Sequence, residues 1–115
     1  MFVDLDIKES GAVCVLKLKG KLVSGEAVNQ FESAFQQTLA SGHIFLVLDL
    51  EALPYIDSCG IGSVVNALRQ ANKVGGTVKL IKPAPFVGKT FKMVGIHTLF
   101  GVYESEADAL ASCGA

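Results

Sequence analysis

The sequence predicts an α/β fold: a mixed β-sheet in which an N-terminal hairpin is followed by parallel strands joined by α-helices. Three observations predict it. Residues 2–19 alternate apolar and charged side chains around a Glu-Ser-Gly turn, the pattern of two paired, half-buried strands. Beyond them, segments with helical spacing of apolar residues alternate with short continuous apolar runs. Strands separated by helical crossovers run parallel, with right-handed connections.

The elements follow in order. In "FVDLDIK", Val3, Leu5 and Ile7 share one face and Asp4, Asp6 and Lys8 the other; "VCVLKLK" returns beside it. Gly20 to Gly25 reads as a connection, with Ser24 placed to cap the next helix. That helix, "EAVNQFESAFQQTLAS", carries Val28, Phe31, Phe35 and Leu39 at helical spacing, and Gly42 is its stop. "IFLVLDL" holds five apolar residues in a row before Asp49, which suits a central strand covered on both faces. "IGSVVNALRQANKVGG" places Ile61, Val64, Val65 and Leu68 on one stripe, ended by Gly75 and Gly76, and "TVKLI" is the next strand. Pro85 fits the first turn of a helix lined by Val87, Phe91 and Val94 and closed by Gly95. A short "FGVY" segment precedes a last helix from about Ser105, with Asp108 as its capping-box partner.

Composition narrows the function classes. The 115 residues are read as one domain, 1–115, large enough for one hydrophobic core. Half are hydrophobic and 18% charged, which argues against disorder. A formal net charge of −1 offers no basic footprint for nucleic acid or an anionic membrane, so the expected partner is another protein. No apolar run approaches the roughly 18 residues of a membrane span, and the start lacks the features of a signal peptide. Cys14, Cys59 and Cys113 share no metal-ligand or redox spacing and read as reduced thiols of a cytoplasmic protein.

The stretch "YIDSCGIGS", residues 55–63, stands out. Here an apolar strand runs into an acid, a hydroxyl, a thiol and two glycines just where a helix begins. Ser58 falls near the N-cap, where its oxygen accepts from a backbone N–H two or three residues on. Gly60 and Gly62 let the backbone turn and leave those amides uncovered. Ser58 also suits a phosphoacceptor. A phosphate adds about −1.5 to −2 charges at pH 7. The helix amides would partly accommodate it, while Asp57 and Asp49 would repel it. Such a group would change the surface without unfolding the domain. The two roles are compatible.

Other constellations are weaker. "GKT" at residues 88–90 matches the end of a phosphate-binding loop, but that loop needs glycine at position 83, where Pro stands. A nucleophilic Ser58 would need a base. His43 precedes the central strand, at the far end from Ser58, and nothing pairs His97 with Ser58. Asp49 and Asp57 alone make no metal or acid–base site. Arg69, Lys73, Lys79, Lys82, Lys89 and Lys92 read as a solvated face. No catalytic residue, metal site or cofactor is expected.

"LVLDLEALPYIDSCGIGSVVNALRQANKVGGTVKLI" resembles the core of the STAS family, the anti-sigma-factor antagonists and their relatives. The matching pattern is an apolar strand ending in Asp-Leu, then Asp-Ser-x-Gly-Ile-Gly, a helix, Gly-Gly and a strand. "LKLKGKL" and "MVGI" extend the resemblance over nearly the whole chain. It implies a STAS-like fold and a regulator without catalytic activity. That regulator binds an anti-sigma serine kinase when unphosphorylated, is released by phosphorylation, and is reset by a phosphatase. By position the phosphorylated residue is Ser58, and Asp57, Ser58, Cys59, Gly60, Ile61 and Gly62 form the partner-binding surface.

Two positions depart from the pattern. Cys59 replaces a second hydroxyl residue; it reads as a small semi-buried apolar side chain, with a redox sensor as the lesser alternative. Val23 stands where many switch-type members carry an acid on the kinase-facing surface. Both lean toward a second reading, a constitutive scaffold subunit of a stressosome-like or transporter complex. A third class is an anion or nucleotide binder using the helix start at Gly60–Gly62, but no base-recognition residues accompany it. The exposed edge of the hairpin leaves homodimer pairing open.

Overall fold

The computed structural model describes residues 3–113. Strands β1 (Val3–Ser10) and β2 (Val13–Leu22) form the expected antiparallel hairpin, with Leu5 opposite Leu18 and Ile7 opposite Leu16. Helix α1 (Glu26–Ala40) leads to β3 (Phe45–Asp49), a two-residue strand β4 (Tyr55–Ile56) and helix α2 (Ser58–Lys73). Strand β5 (Thr77–Ile81), helix α3 (Pro85–Met93), a short 3₁₀ turn (Ile96–Thr98), strand β6 (Gly101–Tyr103) and helix α4 (Glu106–Ser112) complete the order. The sheet runs β1-β2-β3-β5-β6, and every pairing after the hairpin is parallel.

Both faces of this sheet are covered. Leu16, Leu18, Leu46, Leu48 and Leu80 point toward α1, α2 and α3 and pack with Phe31, Phe35 and Phe91 in the main core. Val13, Val15, Val47 and Ile81 point the other way, onto Ala109 of α4. The period-two alternation of a strand thus sends neighbouring residues into two cores. Leu46, Val47 and Leu48 are all fully buried, as the continuous apolar run predicts.

The hairpin departs from the half-buried reading. Residues Val13 to Leu16 are buried on both faces, because β2 is an interior strand between β1 and β3. Ile7, expected on the covered face, is 52% exposed. The outer strand β1 carries exposed Asp4, Asp6, Lys8 and Glu9, charges that discourage a second strand from adding to this edge.

Other corrections are local. Gly25, with φ of 101°, occupies the position before α1 and no side chain caps that helix; Ser24 does not. Val28 and Leu39 are half-buried, while Ala27 and Thr38 take the fully buried positions of α1. On α2, Val65 is half-buried and Ala67 and Ala71 join Val64 and Leu68 in the core. Val94 lies beyond α3 and is 55% exposed. Ser105 does cap α4, accepting from the amide of Asp108 at 3.2 Å.

β2 continues past the expected connection to Leu22, where Lys21 and Leu22 pair with Tyr55 and Ile56 of β4. Its pairing with β3 ends at Lys17 opposite Asp49. Between the two, Gly20 adopts φ of 104°, and its amide donates to the Ala52 carbonyl at 3.1 Å. A side chain would strain that conformation, so glycine lets β2 turn from one partner to the next. That bend carries residues 22–25 to the start of α2.

Candidate functional site at the start of α2

Parallel strands joined by helices place helix N-termini at the carboxyl ends of strands, the usual location of sites in such sheets. The motif of residues 55–63 lies there. The amide of Asp57 donates to the Leu22 carbonyl at 3.2 Å, so the step from β4 into α2 is fastened to the end of β2.

Asp57, rather than Ser58, is the N-cap. Its Oδ1 accepts from the Gly60 amide at 2.8 Å, satisfying one of the free donors of the first turn. Its Oδ2 accepts from the Ser24 amide at 2.9 Å. Residue 24 therefore contributes through its backbone, bridging the β2–α1 loop to α2. These amides, Ser24 first and then Gly60, hold the Asp57 carboxyl below its ordinary value of 3.8. The acid's longer reach lets one side chain serve two segments, which a serine hydroxyl at the same place could not do.

The linkage has a definite sign. A carboxyl whose pKa is depressed by folding stabilises the folded state above its unfolded pKa, and that contribution is lost as pH falls through the folded value. Asp57→Asn keeps a capping oxygen but removes the charge. Urea titrations should show wild type losing more stability than Asp57→Asn as pH drops from 7 to below 3.8. At neutral pH the variant should be less stable by about 1 kcal/mol or less. Equal acid losses in both proteins would refute this account of the bridge.

Ser58 becomes the first residue of α2 and is exposed. With the cap supplied by Asp57, its hydroxyl has no share in starting the helix. Cys59 is also exposed, which corrects the semi-buried reading. Gly60 is buried, because its α-carbon approaches the end of β2: an added Cβ would lie 2.2 Å from the Leu22 carbonyl oxygen and 2.7 Å from Ile56 Cγ1. Ile61 is half-buried against the main core. Gly62 is exposed and a Cβ there would meet nothing within 4 Å, so no tight turn requires it. Ser58 and Gly62, four residues apart, lie on one helix face, and the missing side chain leaves the serine uncrowded by the next turn.

Val23 is half-buried and packed against the main core, so the loop beside Ser58 turns an apolar residue inward. Next to the motif, the rings of Tyr55 and Phe86 stack at 5.1 Å with 15° between their planes, and both are substantially exposed. This pair joins β4 to α3 across thirty residues of chain, and no local pattern in the sequence signals it.

The remaining candidates stand apart. Asp49 Oδ1 accepts from the Glu51 amide at 3.1 Å and shapes the turn after β3. His43 contacts Ser41 Oγ at 3.0 Å and Glu9 Oε1 at 3.2 Å at the amino end of β3, away from the motif. His97 sits in the 3₁₀ turn, and Gly88-Lys89-Thr90 lies within α3. Burial pushes the Cys14 thiol above its ordinary value of 9.0. Among the described residues no group of His, Cys, Asp and Glu could hold a metal ion, and no helix is long and apolar enough to cross a membrane.

Comparison with known proteins decides the family. The model of the STAS domain matches residues 4–109. This chain is a STAS domain protein. It is 30% identical over 83 residues to an anti-sigma F factor antagonist of Lysinibacillus sphaericus, spanning 71% of this chain and 70% of that protein. Among solved structures, an anti-sigma factor antagonist from Mycobacterium paratuberculosis aligns with TM-score 0.86 at 19% identity, covering 98% of this chain and 95% of that one. The Bacillus cell fate determinant SpoIIAA in its phosphorylated form aligns with TM-score 0.75 at 23% identity, covering 95% and 98%. These structural likenesses establish the shared fold, a mixed sheet flanked by four helices, and agree with the α/β architecture read from the sequence.

Proposed function

We propose that this STAS domain is a cytoplasmic anti-sigma-factor antagonist, without enzymatic activity, switched by phosphorylation of Ser58. Unphosphorylated, it docks on an anti-sigma serine kinase through a surface around Asp57, Ser58, Cys59, Gly60, Ile61 and Gly62, freeing a sigma factor for transcription. The kinase transfers a phosphoryl group from ATP to the Ser58 hydroxyl, the charged surface disengages, and a phosphatase restores the serine. The observation that carries this reading is the division of labour at the helix start: Asp57 holds the cap and Ser58 is exposed. Modification of Ser58 therefore breaks no structural hydrogen bond, yet sets a doubly charged group beside a carboxylate that stays ionised at neutral pH. Exposed Cys59 and the bare face at Gly62 leave room for a close approach. The similarity to an anti-sigma F factor antagonist supports the class of partner, and the phosphorylated SpoIIAA structure supports this fold's capacity to carry the modification.

The test is direct. Incubated with the cognate kinase and ATP, wild type should gain one phosphoryl group by mass spectrometry and Ser58→Ala none. Phosphate on both proteins, or on neither, would defeat the switch. The inward-packed Val23 favours a second reading, a constitutive scaffold subunit whose partner binds without phosphorylation. In that case the kinase leaves wild type unmodified, and the proteins it captures do not change on Ser58→Asp.

A further inference from the structure

Between α3 and the edge strand β6 lies a cleft of about 570 Å³, within the size range of small-ligand sites. Among the described residues β6 pairs only with β5, and no strand closes its outer flank. Strand alternation sets Phe100, Val102 and Glu104 along the cleft, while Tyr103 packs onto the opposite face of the sheet. On α3, Pro85, Lys89 and Lys92 recur at helical spacing and line the facing wall. Phe86 points elsewhere, to Tyr55. The cleft is therefore separate from the Ser58 surface.

Its chemistry is amphiphilic. Phe91 and Phe100 close its base and are almost wholly buried, so the apolar surface open to a ligand is that of Val102 and the prolines. Pro83 and Pro85 extend the wall without offering amide hydrogens. The rim holds Lys89 and Lys92, both exposed, with His97; Glu104 is the single acid among the lining residues. Among the described residues neither lysine enters a salt bridge. Lysines are compact point charges without the fork that grips phosphate oxygens in pairs. A wall of prolines supplies no nest of backbone N–H groups for a polyphosphate, and Glu104 disfavours a second negative charge. One anionic headgroup on an apolar body fits; a nucleotide does not.

We propose that this cleft binds a small amphiphilic carboxylate, its apolar chain against Val102, Pro83 and Pro85 and its carboxylate held by Lys89 and Lys92. The site would give the domain a metabolite-responsive face beside its protein-docking one, independent of Ser58.

Octanoate is the probe, titrated into the whole chain and followed by amide ¹H–¹⁵N spectra. It should shift amides of α3 and β6 saturably and leave those of Ser58–Gly62 unmoved. Octan-1-ol, which lacks the charge, and acetate, which lacks the chain, should each bind at least about tenfold more weakly. Lys89→Glu combined with Lys92→Glu, both at exposed positions, should weaken octanoate about tenfold or more, and Val102→Trp should block it by filling the mouth. Circular dichroism confirms that each variant is folded. Failure of octanoate to saturate wild type overturns the proposal. So do shifts scattered over the surface, equal binding of octan-1-ol, or unchanged affinity in the folded double variant.

Discussion

Gly60→Ala will destabilise the domain by about 3 kcal/mol, while Gly62→Ala, two residues along the same helix, will stabilise it by up to about 1 kcal/mol. The two glycines look alike in the sequence and differ only in what surrounds them. A Cβ on Gly60 would lie 2.2 Å from the Leu22 carbonyl oxygen. That oxygen belongs to backbone and already accepts from the Asp57 amide, so it cannot move without disturbing the entry to α2. Relief would require the first turn of α2 to lift from β2, weakening the Asp57 bridge to Ser24 and the packing of Ile56 and Val64. At Gly62 the added methyl meets open space, and alanine merely removes the conformational freedom that glycine has in the unfolded chain. Urea denaturation midpoints measure both. Equal changes for the two variants would show that contact with β2 is not what Gly60 serves.

Ser58→Asp should weaken binding of the proposed anti-sigma kinase by about a hundredfold, equivalent to about 2.7 kcal/mol, with little change in melting temperature. A charge at position 58 lies beside the Asp57 carboxylate, so a partner surface that accepts one negative group meets two. Desolvating that pair in an interface is costly, whereas in the free protein water screens it. The helix dipole favours negative charge at the first turn and offsets part of the repulsion within the fold. Ser58→Ala should keep full binding, and its stability should stay within about 0.5 kcal/mol of wild type, because the hydroxyl caps nothing. Retained kinase affinity in a folded Ser58→Asp protein would remove the electrostatic basis of the switch. A marked loss of stability in Ser58→Ala would return the serine to a structural role.

Legibility in the sequence followed the range of the interactions. Elements governed by local periodicity, such as Phe31 and Phe35 on α1 or the apolar run ending at Leu48, are where the spacing placed them, because each is set by neighbours within a few residues. The α4 cap is as local, and Ser105 holds Asp108 as expected. Errors arose where two distant segments meet. The β2–β4 pairing joins residues 21–22 to 55–56, and neither dipeptide is long enough to show an alternation. The starts of α1 and α2 are tied to each other: Ser24 and Asp57 lie 33 residues apart, and the amide of one completes the carboxylate of the other. A window along the chain holds only half of that bond.

The sequence by itself determined the α/β order, the double-sided central strand, the STAS resemblance and the exceptional stretch at residues 55–63, because all of these are written in short-range patterns of polarity and residue type. Only the tertiary structure decided which oxygen caps α2, that Gly60 is buried while Gly62 is bare, and that Ser58 is left exposed. The reason is physical: capping and burial depend on which backbone comes near. Here that backbone is the end of β2, brought to the motif by a bend at Gly20 that periodicity does not report.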